Sequence, residues 1–212
     1  MTAYGRFEAI REFASSGPFS IWTAREGGGE PTIAIKVLTL TPGLFDDEVL
    51  SRRAFYSPSV ILVHRPGAPA GGHWPPVSYC GRTTDAVWAA MPLYPLSAGR
   101  LVDRKVDLDA RSIVATARGV VAGLRELRDL PGGGRGHGAL RGTNVLLDDD
   151  QVTPGVGVFL SDPAPPGRVS GRTQADDLVG LGGVLFQLIA HRSPPAAGSV
   201  GAGPEWTRLG KA

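Results

Sequence analysis

Three things are scarce in this chain of 212 residues, and each narrows what it can be. There is one cysteine, Cys80, so no intrachain disulfide can form. A lone thiol suits a reducing cytosol, and its expected state is that of a small buried apolar residue. There is no long hydrophobic run. The most apolar stretch, residues 178–190, falls short of the ~20 residues that span a bilayer. The first ten residues carry charges and lack the apolar segment of a signal peptide. Nor is there a block of one charge: 22 basic and 20 acidic residues leave a net charge of +2. No nucleic-acid partner, no membrane surface and a cytoplasmic location are the expectations. His64, His73 and His191 show no metal-ligand spacing and read as surface or loop residues. No internal repeat is present.

Glycine and proline, by contrast, are abundant, at 30 and 18 residues, which implies many loops. The hydrophobic fraction of 42% supports a packed core, and the length suits one large domain or two small lobes. Residues 7–13, 20–25 and 32–38 have β character and are separated by turn residues, so they read as an antiparallel meander. Residues 46–55 suggest a helix, and 60–63 a short strand. Residues 77–80 and 86–91 read as two further strands before Pro92 and Pro95 interrupt. Residues 108–130 are helical by pattern. Ile113, Ala117, Val120, Val121, Leu124 and Leu127 recur every three or four positions, with Asp107 or Asp109 placed to cap the start. Residues 145–147 and 156–160 suggest a small hairpin, with Asp148, Asp149 and Asp150 as a solvated turn. Residues 176–191 are apolar enough to read as a buried helix, and residues from 193 onward as a tail.

Five short motifs fall in a telling order. His137-Gly138-Ala139-Leu140-Arg141-Gly142-Thr143-Asn144, followed by Val145-Leu146-Leu147, resembles the catalytic loop of protein kinases, H-R-D-L-x-x-x-N and its apolar strand. Ala34-Ile35-Lys36 resembles the V-A-I-K strand. Ser57-Pro58-Ser59-Val60-Ile61 resembles the H-P-N-I-V step, and Glu48 stands nine residues before it. Phe159-Leu160-Ser161-Asp162 resembles the approach to D-F-G, and Asp177 opens a segment similar to the central helix of the large lobe.

The resemblance covers residues 7–195. It implies an α+β, bilobal protein kinase-like fold: a five-stranded antiparallel N-lobe with one helix over residues 1–91, a hinge at 92–98, a truncated and mainly helical C-lobe over 99–195, and a tail at 196–212. It implies that Lys36 pairs with Glu48 and meets the phosphates of ATP, with Ser16, Gly17 and Met91 around the nucleotide. It also implies that Asn144 and Asp162 hold Mg²⁺, and that His137 and Asp177 are structural.

The departures from the family pattern all point one way. Ala139 stands at the catalytic Asp position, so no carboxylate can orient a substrate hydroxyl. Arg141 stands at the catalytic-loop Lys position. The three positions of the glycine-rich loop are Ala14, Ser16 and Phe19. Asp177 follows Asp162 by only fifteen positions, which leaves no room for an activation segment ending in A-P-E. The expected function is therefore a pseudokinase-like binding, scaffold or regulatory module with weak ATP binding. Its partner would be another protein, or a second copy, meeting the exposed C-lobe surface. The alternative is a divergent Ser/Thr protein kinase that works by positioning and magnesium alone.

Overall fold

The computed structural model describes residues 3–16, 19–39, 72–129, 136–163 and 174–194. The chain divides into two compact units, residues 1–70 with 75–93, and residues 71–74 with 94–212.

The first unit is a six-stranded sheet in the order β1-β2-β3-β4-β6-β5. Its strands are β1 (Ala3–Tyr4), β2 (Phe7–Ser16), β3 (Phe19–Glu26), β4 (Ile33–Thr39), β5 (Tyr79–Arg82) and β6 (Ala86–Pro92). All pairs are antiparallel. The expected count of five is thus corrected to six. The additional strand is β1, two residues long, which closes onto Phe7 and Glu8 and is too short to carry a period-two signal. The candidate helix at 46–55 and the candidate strand at 60–63 lie outside the described residues.

β4 is central, and both of its faces are largely buried. On one face Ile35 and Val37 join Tyr4, Phe7, Ala9, Ala24, Trp88 and Ala90 in a core cluster. Trp88 anchors it, stacked on Tyr79 at 5.5 Å and edge-on to Phe7 at 6.4 Å between ring centroids. Alternation puts Ala34, Lys36 and Leu38 on the opposite face. Cys80, expected to be buried, is exposed. β5 is the last strand of its sheet, and the alternation that buries a residue on an inner strand leaves Cys80 in solvent.

The second unit holds a three-stranded sheet of β7 (Leu96–Ser97), β8 (Val145–Leu147) and β9 (Val158–Leu160), together with helices α1 (Ala98–Asp103), α2 (Ala110–Arg128) and α3 (Gln174–Ala190). Residues 92–98, read as a hinge, carry the end of β6, all of β7 and the first residue of α1. Asp109 caps α2, its carboxylate accepting from the Ser112 N–H at 2.6 Å. α2 lies close against β9, because a Cβ at Gly119 would stand 2.5 Å from Val158 Cβ and one at Gly123 would stand 2.9 Å from Leu160 Cδ1. β8 and β9 pair as the expected hairpin, with Leu146 opposite Phe159.

α3 buries Leu181, Val184 and Leu188, a stripe at helical spacing. It is not buried all round, as its composition suggested. Leu178 and Val179 retain 63% and 76% of their surface. Burial is decided by what packs on each face, which composition does not report. α3 ends at His191, whose φ of +51° is a left-handed stop, and whose N–H still donates to Gln187 O at 2.8 Å.

Candidate functional site

In the first unit the site residues are organised by β4. Lys36 pairs across the sheet with Ile21 on β3 and Ala89 on β6. Met91 pairs with Ala34, so it lies on the same face as Lys36, one strand over. Lys36 keeps part of its surface accessible, yet burial pushes its ammonium down to about 8 from the usual lysine value of 10.5. Ser16 ends β2 opposite Phe19, at the tip of a ladder that also pairs Ala14 with Ile21 and Ser15 with Ser20. β2 carries two register shifts, between Ala9 and Arg11 and between Glu12 and Ala14. Glu48 and Gly17 lie outside the described residues.

In the second unit the loop from His137 to Asn144 is held at both ends by hydrogen bonds. Asp177, on the first turn of α3 and 4% exposed, accepts from the His137 N–H at 2.6 Å and the Gly138 N–H at 2.8 Å. Its position near a helix N-terminus also favours a negative charge. His137 is fully buried. Its Nε2 lies 2.9 Å from Ser161 O, so it must donate, while Nδ1 accepts from the Ala139 N–H at 3.3 Å. Those two partners select the tautomer protonated at Nε2. Gly138 has φ of +68°, a conformation that a side chain would strain.

Ala139 contributes only backbone. Its N–H goes to His137, and its carbonyl accepts from Asn144 Nδ2 at 2.9 Å. No carboxylate is available at that position. Asn144 is 3% exposed, its N–H donates to Arg141 O at 2.9 Å, and its carbonyl accepts from the Ser161 N–H at 3.0 Å. Asn144 Nδ2 also lies 3.5 Å from Asp162 O, at the outer limit of a hydrogen bond. The structure thus brings Asn144 and Asp162 together. Asp162 has φ of +54°, in the left-handed region that is costly for most residues with a side chain. Arg141 is exposed.

The donor set of Asn144 and Asp162 suits a small hard cation, since both offer oxygen and neither offers sulfur. With Nδ2 committed to Ala139, Asn144 Oδ1 receives only a long contact from Thr143 Oγ1 at 3.4 Å. That oxygen and the Asp162 carboxylate are the groups that fit Mg²⁺. Among the described residues no group of three or more His, Cys, Asp or Glu side chains is arranged to hold a metal.

A second support of the loop was not foreseen. Residues 72–74 precede the strand region of β5 but pack in the second unit. Trp74, 3% exposed, stacks on His137 with centroids 5.9 Å apart and donates from Nε1 to Gly123 O at 3.1 Å. His73 meets Glu126 of α2 twice, through its N–H at 2.9 Å and through Nδ1 at 2.8 Å. Its carbonyl accepts from the Leu160 N–H at 2.8 Å. His73 therefore lies in a loop, as expected, but as one jaw of a clasp. The signal in the sequence was a tryptophan among glycines and prolines, a ring with too much apolar area to leave in solvent.

Neither a protein-family model nor a curated protein sequence matches the chain. Solved structures do. Crystal structures of the kinase domain of PknI from Mycobacterium tuberculosis superpose with TM-scores of 0.63 and 0.61, at 17% and 16% identity. The two alignments cover 94% of this chain and 78% and 80% of those chains. A double mutant of the same domain gives 0.62 at 15% identity. The fold is protein kinase-like. Identity this low establishes the fold and nothing finer. Within a kinase-like fold, the His137–Asn144 loop, its Asp177 tether and the Asn144–Asp162 pair occupy one unit and support one another, while Lys36 and Met91 share a sheet face in the other.

Proposed function

We propose that this chain is a binding or regulatory module of kinase-like fold that takes up a nucleotide weakly and transfers phosphate poorly or not at all. The observation that carries this reading is Ala139. The loop around it is tethered through Asp177, His137 and Asn144, yet position 139 offers only its N–H and carbonyl. General-base assistance is worth roughly 10²–10⁴ in rate. Its loss weighs on transfer more than on nucleotide binding, which rests on charge and positioning.

ATP would meet Lys36, with Ser16, Gly17 and Met91 around it and Glu48 as the lysine's partner. Mg²⁺ would meet Asn144 Oδ1 and the Asp162 carboxylate. The output would be a contact with a protein partner or a second copy in the cytoplasm. The exposure of Leu178 and Val179 on α3 supports such a contact.

A second reading, a divergent Ser/Thr kinase, is favoured by the retained Asn144–Asp162 pair. One set of measurements separates the two. The purified chain is melted against ATP with and without Mg²⁺, then incubated with labelled ATP and a general protein substrate. At ligand one hundred times Kd the stabilisation is about 2.7 kcal/mol. A nucleotide-dependent shift that disappears in Lys36→Met, with no transfer of label, is the expected result. Label transfer abolished by Lys36→Met would establish the second reading. No shift at millimolar ATP would remove the nucleotide from both.

A further inference from the structure

The outward face of α2 is composed in an unusual way. Opposite its buried stripe of Ile113, Thr116, Val120 and Leu127, the helix presents Arg111, Val114, Arg118, Val121 and Arg125 at alternating spacings of three and four. The arginines recur every seven residues, and so do the two valines. This is the spacing of a seam that a second helix can follow. Val114 is 47% exposed. Val114, Ala117, Arg118, Val121, Ala122 and Arg125 line a shallow groove of about 390 Å³.

No carboxylate lies within this face, and those at its two ends, Asp109 and Asp129, act on Arg111 and Arg125. Glu126, the only acidic residue of α2, points to His73. Asp109 caps the start of the helix, and Asp129 follows its end paired with Arg128. Among the described residues no ion pair engages Arg118 or Arg125.

The charge selects the occupant. Two copies of α2 packed seam to seam would set arginine rows against each other, so this face repels itself. The exposed part of α3, around Leu178 and Val179, has Asp176 as its only accessible carboxylate, a poor match for a row of arginines. We infer that the α2 seam docks an acidic amphipathic helix of another protein, whose apolar residues meet Val114 and Val121 and whose flanking carboxylates pair with Arg111, Arg118 and Arg125. This goes beyond the nucleotide reading and does not depend on it, because no residue proposed for ATP or Mg²⁺ lies on α2.

The test uses the whole chain and a synthetic helical peptide of ~21 residues, three heptads with leucine along one seam and glutamate on both flanks. Binding is followed by fluorescence anisotropy at two salt concentrations. The expected result is saturable binding that weakens as salt rises, falls at least ~10-fold in Arg118→Glu, falls less in Arg118→Gln, and is unchanged in Arg104→Glu on the neighbouring loop. Far-UV circular dichroism and melting of each variant establish that it folds, and the Gln variant serves if the Glu variant does not. Several outcomes would overturn the inference: no binding of the acidic peptide, equal binding of its lysine counterpart, binding indifferent to both Arg118 substitutions, or preferential binding to vesicles of anionic lipid or to duplex DNA. The same samples melted with ATP test the nucleotide reading separately.

Discussion

The lowered pKa of the partly accessible Lys36 ammonium gives a clear pH signature. With its pKa near 8 in the folded chain and 10.5 as the ordinary value, the unfolded chain binds more protons than the folded chain between those limits. Stability contributed by this residue therefore rises with pH across that window and is constant below it. The melting temperature of the wild type relative to Lys36→Met is expected to climb from about pH 8 towards pH 10. A flat difference over that range would contradict the burial of the ammonium. Under the proposed nucleotide reading, affinity should weaken over the same range as the ammonium loses its proton. Asp177 makes a second prediction at this scale. It holds two buried N–H groups, so Asp177→Ala leaves both without an acceptor, and a loss of about 2–5 kcal/mol is expected in urea unfolding. Asp177→Asn keeps one acceptor and should lose less. Trp74→Ala removes a large buried ring and should cost about 3–5 kcal/mol. The order of the motifs was legible from spacing, and the family resemblance implied a structural Asp177. Trp74 and His73 were not, because their partners Gly123, Glu126 and His137 are distant in the chain and no local period connects them.

At the scale of elements, the helices behave according to their neighbours more than their composition. Gly119 and Gly182 both sit inside helices, where glycine costs roughly 1 kcal/mol against alanine. Intrinsic propensity predicts that Ala stabilises both. The packing separates them. A Cβ at Gly119 would fall 2.5 Å from Val158 Cβ, so Gly119→Ala must push α2 off β9 and is expected to destabilise. A Cβ at Gly182 meets nothing within 4 Å, so Gly182→Ala is expected to stabilise by about 0.5–1 kcal/mol. Chemical denaturation of the two variants reads out both signs. α2 was legible from its apolar period and its Asp109 cap, while β1 and β7, two residues each, carried no periodic signal. The exposure of Leu178 and Val179 was hidden for a related reason: a uniformly apolar helix does not announce which face lacks a neighbour.

At the scale of the whole molecule, the proposed function makes a prediction about one substitution. Ala139→Asp would return a carboxylate to a loop already held in place by Asp177 and Asn144. Under the proposed function little phosphotransfer is expected from it, because only fifteen positions lead from Asp162 to Asp177, short for an activation segment. Labelled-ATP assays of Ala139→Asp, alone and with Arg141→Lys, check this. Robust transfer from the single variant would show that the missing carboxylate was the sole defect. By itself, the sequence determined the kinase-like order of motifs, the meander of β2 to β4, the span of α2 and the alanine at 139. These depend on identity, spacing and local period, which a linear chain displays. Only the tertiary structure decided that Trp74 braces His137, that Cys80 faces solvent and that α2 turns a row of arginines outward. Those facts depend on which distant segments come into contact, and contact between segments far apart in sequence leaves no mark in either segment alone.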